Sequence, residues 1–413
     1  MVGEAILILV MAEEKWEEAD FLRKQIASHR HKARILDMGL MGKAQGACDI
    51  SREEVISAGG RSAAEVALIA DRGKRMPVMI EGARQKVQEL VSHGQLSGII
   101  SVGGTTGTRM GTSIMKSLAF GIPKLAVSST ASIPAFAATY MGTSDITLMH
   151  SVVEIAGLNA MIRNVLARAA GAICGMAESS VRVPVSFPRK GEKPLIAMTH
   201  FGPCEACAVN VRTQLEQKGY QVIGFSAAGI GDRAMEEIIE YQNIFGAVID
   251  LAPGGVGEEL LGFSRAAGAG RLEAAGNKGL PQVIAPCGVN FGSPLKRKYK
   301  PEYELRKKLE YDNARTFVRL SNEELIRVAS AIADKLNKAL GPVKVVIPLG
   351  GWSSVDKRGT DFYDGEADKV FTDTLKKRLK QTIEVREVGA DLETAEFAGA
   401  VVETFETLMD TLD

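Results

Sequence analysis

Cysteine is scarce in this chain, and a metal-ligand pattern is absent. The 413 residues include 5 cysteines, an odd number without the spacing of a disulfide framework, which predicts a reducing compartment and a cytoplasmic protein. No clustered His, Asp and Glu pattern has the spacing of a transition-metal site. Asp361 and Asp364, in a polar loop, are candidate metal-facing carboxylates, and the metal itself stays undefined.

An excess of charge of one sign and long hydrophobic runs are also missing. The 50 Lys and Arg residues balance 50 Asp and Glu residues, which argues against nucleic acid or a membrane as the main partner and favours a small-molecule ligand. The amino-terminal apolar run spans only about seven residues before acidic residues follow, so it predicts a buried strand rather than a signal peptide. The longest apolar helical pattern, 157–177, carries Arg163 and Arg168, which a membrane span would not.

What the chain does have is a repeated alternation of aliphatic runs with helical patterns. With 46% hydrophobic residues, it can fill the cores of two domains. A break rich in proline, serine and mixed charge separates domains at 1–180 and 194–413, with 181–193 as the linker. Strands recur about every 25 residues, as in right-handed βαβ crossovers. We therefore predict an α/β fold: two doubly wound, Rossmann-like domains with mainly parallel sheets and a ligand cleft between them.

One stretch, 98–113, predicts a strand, a glycine/threonine loop and a helix in direct succession. Glycines let the loop turn tightly and approach a ligand, and the unpaired amides of a helix start bind anions. The predicted phosphate-binding residues are Gly103, Gly104, Thr105, Thr106, Gly107 and Thr108. The loop is neither a Walker A motif nor G-x-G-x-x-G, and the alternative is a glycine-rich turn that merely closes a βα unit.

Further candidates follow the other predicted strands of the first domain. Parallel strands place their carboxyl ends at one edge of a sheet, where ligands bind, so the predicted cofactor-binding residues there are Glu13, Lys15, Asp37, Ser128, Ser129 and Thr130. Asp37 is placed to bind a ribose or, equally, to cap the following turn. The segment Thr143, Ser144 and Asp145 closes the same pocket or makes an Asx turn.

The second domain repeats the strand–loop–helix arrangement at 199–207. His200 is a candidate acid/base or phosphate contact, or a structural histidine. Cys204 and Cys207 form C-x-x-C at a helix start, as in thioredoxin-like redox pairs. Asn290 offers a side-chain amide over a ligand, or is a turn residue. The basic segment 295–308 predicts a solvated loop or a mobile lid over phosphates.

These residues together resemble an uncharacterised family of bacterial, archaeal and plant proteins related to the amino-terminal inhibitory region of the tomato mosaic virus resistance protein, usually described as an ATP-binding family. The resemblance spans nearly the whole chain and is carried by the segments 15–23, 49–55, 103–108, 120–132, 140–159, 201–204, 289–292, 347–356 and 362–368. It implies two Rossmann-like halves, ATP near the glycine/threonine loop, and dimerisation. Members typically begin with T-x-D-T-K-G-E-E, where this chain has Trp16 in place of the glycine.

Three functions follow as hypotheses. The leading one is a nucleotide-binding protein that takes ATP, with Mg²⁺ as a possible companion, and that acts as an enzyme if His200 and Asn290 serve a second substrate. The alternative is a non-catalytic binding, regulatory or protein-interaction module, which would bind its ligand without turnover. The third is a redox protein that uses Cys204 and Cys207. A homodimer is expected from the resemblance and from the small residues of the helix at 157–177.

Overall fold

The structure, a computed structural model, describes residues 5–182, 188, 192–313 and 315–411. The chain folds into two compact units, residues 1–186 and 187–413. Most of the predicted linker, 181–193, lies outside the described residues.

The amino-terminal unit is a parallel sheet between two layers of helices. Its strands are β1 (Ala5–Val10), β2 (Ala33–Asp37), β3 (Leu96–Gly103), β4 (Lys124–Ser128) and β5 (Thr147–His150), in the order β2-β1-β3-β4-β5. Its helices are α1 (Ala12–Ser28), α2 (Arg52–Ala58), α3 (Ala63–Ala67), α4 (Arg72–Ser92), α5 (Thr105–Met115), α6 (Pro134–Met141) and α7 (Ala160–Arg182).

Alternate residues of β1 explain why helices cover both faces. Ile6 and Ile8 pack in the core cluster formed with α1 and α7, whereas Leu7 and Leu9 pack with α2, α4 and α5. Successive strand side chains point to opposite faces, so an all-aliphatic strand needs cover on both. The predicted doubly wound parallel sheet is therefore confirmed.

The small residues of α7 serve this unit's own core. Ala169 and Ala170 are fully buried among the residues of α1 and β3, and a Cβ on Gly171 would lie 3.6 Å from Nε2 of His29. The small residues of α7 therefore no longer argue for a dimer, and the homodimer stays a prediction.

The carboxy-terminal unit has a second parallel sheet and a small antiparallel one. The large sheet has the order β14-β13-β9-β8-β6-β7, and the small one β10-β12-β11. The strands are β6 (Leu195–His200), β7 (Gln221–Ser226), β8 (Ala247–Asp250), β9 (Gln282–Ile284), β10 (Phe291–Gly292), β11 (Lys308–Glu310), β12 (Thr316–Arg319), β13 (Val343–Pro348) and β14 (Glu384–Val388). The helices are α8 (Glu205–Gln217), α9 (Ile230–Gln242), α10 (Gly255–Leu261), α11 (Ala274–Asn277), α12 (Asn322–Leu336), α13 (Gly365–Arg378) and α14 (Ala395–Asp410).

Local sequence signals account for several helix starts. Ser51 with Glu54 and Ser321 with Glu324 form complete capping boxes, as predicted from their spacing. The basic segment contains short 3₁₀ turns at Lys296–Lys298 and Pro301–Leu305 and then β11. Most of its described residues are exposed, and the interpretation as a mobile lid stays a prediction. Among the described residues, no helix combines the length and the apolar character that crossing a bilayer requires.

Candidate functional site

The helix α5 begins directly after the central strand β3. Its N-cap is Gly104, and no side chain caps the helix, so the first amides are left for a ligand or water. Gly103 is required by the turn itself, since a Cβ there would lie 3.0 Å from the Cα of Gly107. The predicted strand, loop and helix are thus all present, and Thr105 and Thr106 lie in the first turn of α5.

A chain of hydroxyl groups lies behind this loop. Thr108 Oγ1 donates to Ser128 Oγ at 2.8 Å, Ser128 Oγ lies 3.2 Å from Thr130 Oγ1, and Thr130 Oγ1 lies 2.8 Å from the hydroxyl of Tyr140. Thr108, Ser128 and Tyr140 are buried. These residues fix the ends of β3 and β4 and the helix α6 relative to one another, so Thr108, Ser128 and Thr130 support the loop from behind.

Two polar side chains face the loop at Gly104. A Cβ built on Gly104 would lie 3.5 Å from Oε1 of Glu154 and 3.7 Å from Oγ of Ser129. The Ser129 hydroxyl is buried and has no hydrogen-bond partner among the described residues. Glu154 is exposed, and no ion pair or hydrogen bond engages it there. The surroundings of Gly104 therefore combine free amides, a free hydroxyl and a free carboxylate.

Glu13 and Asp37 lie at the same edge, but their carboxylates are occupied by backbone amides. Asp37 Oδ1 accepts from Ala12 N at 3.0 Å and from Gly39 N at 2.8 Å. Glu13 accepts from the amides of the loop 40–42. Burial raises the pKa of Asp37. Of the two readings of Asp37, the structure favours capping over ribose binding.

Lys15 and Trp16 lie in the first turns of α1. Lys15 has non-helical backbone angles, φ −131° and ψ 31°, and kinks the helix; among the described residues its ammonium makes no ion pair. The Trp16 ring lies against Gly46, where a Cβ would come within 2.1 Å of the indole. Trp16 therefore packs on the loop after β2.

The segment Thr143, Ser144 and Asp145 lies at the opposite edge of the sheet. Asp145 Oδ1 accepts from Lys124 Nζ at 2.6 Å, and Lys124 is the first residue of β4. Burial lowers the pKa of Lys124, against the opposing effect of Asp145. The interpretation that this segment closes the phosphate pocket is corrected: α6 carries the chain back to the amino edge, where Asp145 neutralises a buried ammonium.

In the carboxy-terminal unit, the helix start that resembles α5 is filled. Glu393 Oε1 accepts from Cys207 N at 3.4 Å and also takes the amide of Ala206. Burial raises the pKa of this carboxyl. A side chain of the same unit therefore occupies the place of an anion at the start of α8.

The cysteines of this loop lack the features of a redox pair. Cys204 and Cys207 are fully buried, and burial raises the pKa of Cys207, whereas a reactive dithiol needs exposure and a lowered pKa. Cys287 is also fully buried, and burial raises the pKa of its thiol well above the ordinary value. The redox hypothesis is therefore disfavoured.

The structure places His200 and Asn290 in separate surroundings, and their catalytic role stays a prediction. His200 packs against β7, where a Cβ on Gly224 would lie 2.7 Å from Nε2. Asn290 Nδ2 donates to Asp356 Oδ2 at 2.5 Å and to Asp368 Oδ1 at 2.7 Å. No hydrogen bond joins the two residues within the described ranges, where His200 Nε2 and Asn290 Oδ1 are buried without a hydrogen-bond partner.

The carboxy-terminal unit also buries arginine clusters that the sequence analysis missed. Arg271 has no exposed surface and lies 2.6 Å from Asp250, 3.0 Å from Glu236 and 3.3 Å from Asp232. Burial raises the pKa of Asp232 and Glu236, against the opposing effect of Arg271. These contacts join residues far apart in the sequence, so no local spacing announces them.

Metal ligands do not converge anywhere in residues 5–182, 188, 192–313 and 315–411, where no three His, Cys, Asp or Glu side chains are placed to hold an ion. Of the two candidate carboxylates, Asp364 caps α13 by accepting from Ala367 N at 3.2 Å, and Asp361 is exposed. A Mg²⁺ ion held mainly by phosphate oxygens needs only one or two protein carboxylates, and Glu154 is available for that role.

Comparison with known proteins gives one family for both units. Residues 4–182 match the amino-terminal domain, and residues 193–409 the carboxy-terminal domain, of an uncharacterised protein family, UPF0261. A UPF0261 protein of Clostridium tetani is 35% identical over 99% of this chain and 100% of its own length. A UPF0261 protein of Brucella melitensis is 30% identical, over 97% of this chain and 94% of its own. The tomato (Solanum lycopersicum) ToMV resistance protein Tm-1(GCR237) is 30% identical over 95% of this chain, which spans only 54% of that protein.

Proposed function

We propose, from the premise that this chain belongs to the uncharacterised protein family UPF0261, that its amino-terminal unit binds the phosphates of ATP at the loop 103–108. The observation that carries the proposal is the uncapped start of α5 at Gly104, at the carboxyl edge of a parallel sheet. Such an edge is where α/β sheets bind ligands, and a helix start favours phosphate.

The groups around Gly104 support a nucleotide with its metal rather than a bare anion. Free amides and the Ser129 hydroxyl offer donors to phosphate oxygens. The carboxylate of Glu154 would repel phosphate at this distance unless a cation lay between them. Mg²⁺ commonly joins one or two carboxylates to nucleotide phosphates. Glu154 is therefore the residue that we assign to hold Mg²⁺ beside the phosphates.

Calorimetric titration of the full chain with ATP, ADP and NAD, with and without Mg²⁺, tests the proposal. We expect saturable binding of ATP with a Kd of about 1–100 μM, lost in Gly104→Val. The Cβ at this position has ordinary van der Waals room, so the variant should fold while its methyl groups intrude where phosphate oxygens approach.

Gly175→Val is the matched control, because a Cβ on Gly175 meets nothing within 4 Å and the end of α7 lies near Gly121, before β4. Unchanged ATP affinity in a folded Gly104→Val protein would move the site elsewhere. Release of phosphate or transfer to a second substrate would separate an ATP-dependent enzyme from a binding module.

Glu154→Gln tests the place of the metal separately. We expect Mg²⁺ to strengthen ATP binding in the parent protein and to have little effect in the variant, because the carboxylate that holds the ion is gone. If Glu154→Gln strengthens ATP binding equally with and without Mg²⁺, the carboxylate competes with phosphate and holds no metal.

A further inference from the structure

A second candidate site lies in the carboxy-terminal unit, where two carboxylates share one guanidinium and one amide. Besides accepting from Asn290, Asp356 lies 2.8 Å and Asp368 lies 2.6 Å from the guanidinium of Arg319. All four side chains are at least nine-tenths buried. Asp356 lies in the loop after β13, and Asp368 lies in the first turn of α13. Both are at the carboxyl edge of the large sheet.

The loop after β13 is built for this placement. Gly351 has φ +130°, and a Cβ there would come within 2.3 Å of the Cα of Lys357. Trp352 N donates to Asp356 O at 2.9 Å. Only glycine fits so close an approach at that φ. The resulting tight loop turns Asp356 inward toward Asn290 and Arg319.

Asp368 retains one acceptor without a donor. Asp368 is only 6% exposed, and its Oδ2 is buried without a hydrogen-bond partner among the described residues. Asp368 also lines a cavity of about 380 Å³ at the end of β13. An unsatisfied buried acceptor is costly, so a ligand that brings a hydrogen-bond donor into the cavity would satisfy it.

The cavity is lined by charges of both signs, and four of them form no ion pair among the described residues. Arg358 and Lys369 line it without an ion pair in the described chain, and so do Glu366 and Asp373. Leu349, which is 48% exposed, supplies apolar wall. A purely anionic ligand would be repelled by the acidic side chains of the cavity, and a purely cationic ligand would be repelled by the basic ones. A small molecule that carries both charges and an apolar side chain matches all three features.

We propose that this cavity binds a free α-amino acid. The ammonium group of the ligand donates to the carboxylate of Asp368, its carboxylate lies toward Arg358 and Lys369, and its side chain packs on Leu349. A cavity at the small end of the range for ligand sites suits a ligand of this size.

Asp368 also makes the binding sensitive to pH. Burial raises the pKa of Asp368 to about 6, against the opposing effect of Arg319. An ammonium group needs the ionised carboxylate, so affinity should fall as the pH falls below about 6. Near that pH, binding should release a proton, because the ammonium lowers the pKa of Asp368. The calorimetric heat would then depend on the ionisation enthalpy of the buffer.

Titration of the full chain with each standard amino acid, at up to about 10 mM, is the first experiment. We expect at least one to bind saturably at one site per chain, with the stated pH dependence. Gly104→Val should bind it unchanged, which separates this site from the nucleotide proposal. The absence of binding by any of them at pH 7.5 would overturn the inference.

Variants then locate the site. Asp368→Asn should weaken binding at least about tenfold and remove the pH dependence, whereas Asp334→Asn should change neither, because Asp334 is an exposed partner of Arg378. Lys369→Gln, at an exposed position, should reduce the preference for the amino acid over its decarboxylated amine even if Asp368→Asn fails to fold. Unchanged affinity and preference in Lys369→Gln would place the ligand elsewhere.

Discussion

The helices α5 and α8 begin in similar loops, but a side chain occupies the first amides of α8 and none occupies those of α5. Each helix follows a buried strand through a short glycine-containing loop at the carboxyl edge of a parallel sheet. The amides at Gly104 have no side-chain cap, whereas those at Cys207 are taken by Glu393. The difference lies outside the loops, in a carboxylate supplied from a distant part of the chain. A helix start is thus a candidate anion site only where the fold leaves it empty.

The largest expected effect comes from filling the empty start. Gly104→Asp supplies a side-chain cap at a residue whose φ of −79° and ψ of −159° suit an N-cap. We expect ATP affinity to fall at least about 100-fold, because the new carboxylate takes the amides and repels phosphate. Calorimetry measures the loss.

Gly104→Ser is the control, since it caps without a charge and should weaken ATP binding less. An equal loss in both variants would assign the effect to bulk rather than to charge.

The buried carboxylates of the carboxy-terminal unit should make its stability depend on pH. The folded pKa of Asp368 is about 6, above its ordinary value of 3.8, so the stabilisation is fully present below 3.8 and is lost as the pH rises through about 6. The expected change is at most about 3 kcal/mol in the free energy of unfolding.

Urea unfolding at pH 5 and 7.5 measures the upper part of this change, about 1.4 kcal/mol, and fluorescence of Trp352 in a Trp16→Phe background reports the carboxy-terminal unit alone. Asp368→Asn should reduce the pH dependence. An unfolding free energy that rises between pH 5 and 7.5 would contradict the sign.

Removing the carboxylate that accepts from the first amides of α8 should destabilise the protein. Glu393→Ala removes the acceptor of the α8 amides, and we expect the free energy of unfolding to fall by about 1 kcal/mol. Urea unfolding followed by Trp352 fluorescence measures it. Glu393→Gln keeps an acceptor, so its free energy of unfolding should fall less. Glu396→Ala, at an exposed position of α14, should show the smallest decrease.

The smallest effect concerns the free hydroxyl beside Gly104. Ser129 Oγ is buried without a partner, so Ser129→Ala should leave the free energy of unfolding unchanged or slightly higher. If phosphate uses this hydroxyl, ATP affinity should fall about tenfold or less, as calorimetry can measure. Lower stability with unchanged ATP affinity would show that the hydroxyl serves the fold.

Patterns within a few residues predicted much of the fold. Ala5–Val10 and Val343–Pro348 occur at the predicted bounds, because aliphatic runs are local signals. The helix α6 was missed because its sequence is apolar yet mostly exposed, with only Tyr140 buried. The antiparallel strands β10, β11 and β12 were missed because each is only two to four residues long, and β10 pairs with β12 across a long separation.

The candidate site was only partly predictable, for the same reason. The glycine loop at 103–108 carries its own signal, but Glu154 reaches it from beyond β5, and Glu393 closes the α8 start from 186 residues away. Asp145 was misplaced because a turn sequence does not say which edge of the sheet it occupies. Only the contact with Lys124 decides that.

The chain of hydroxyl groups formed by Thr108, Ser128, Thr130 and Tyr140 makes the side chains at these four positions depend on one another. Ser128 and Thr130 each contact two other hydroxyl groups, so replacing Thr130 by valine would remove one contact of Ser128 and the hydroxyl partner of Tyr140. We therefore expect these positions, drawn from a helix, a strand, a loop and a second helix, to change together among relatives or not at all.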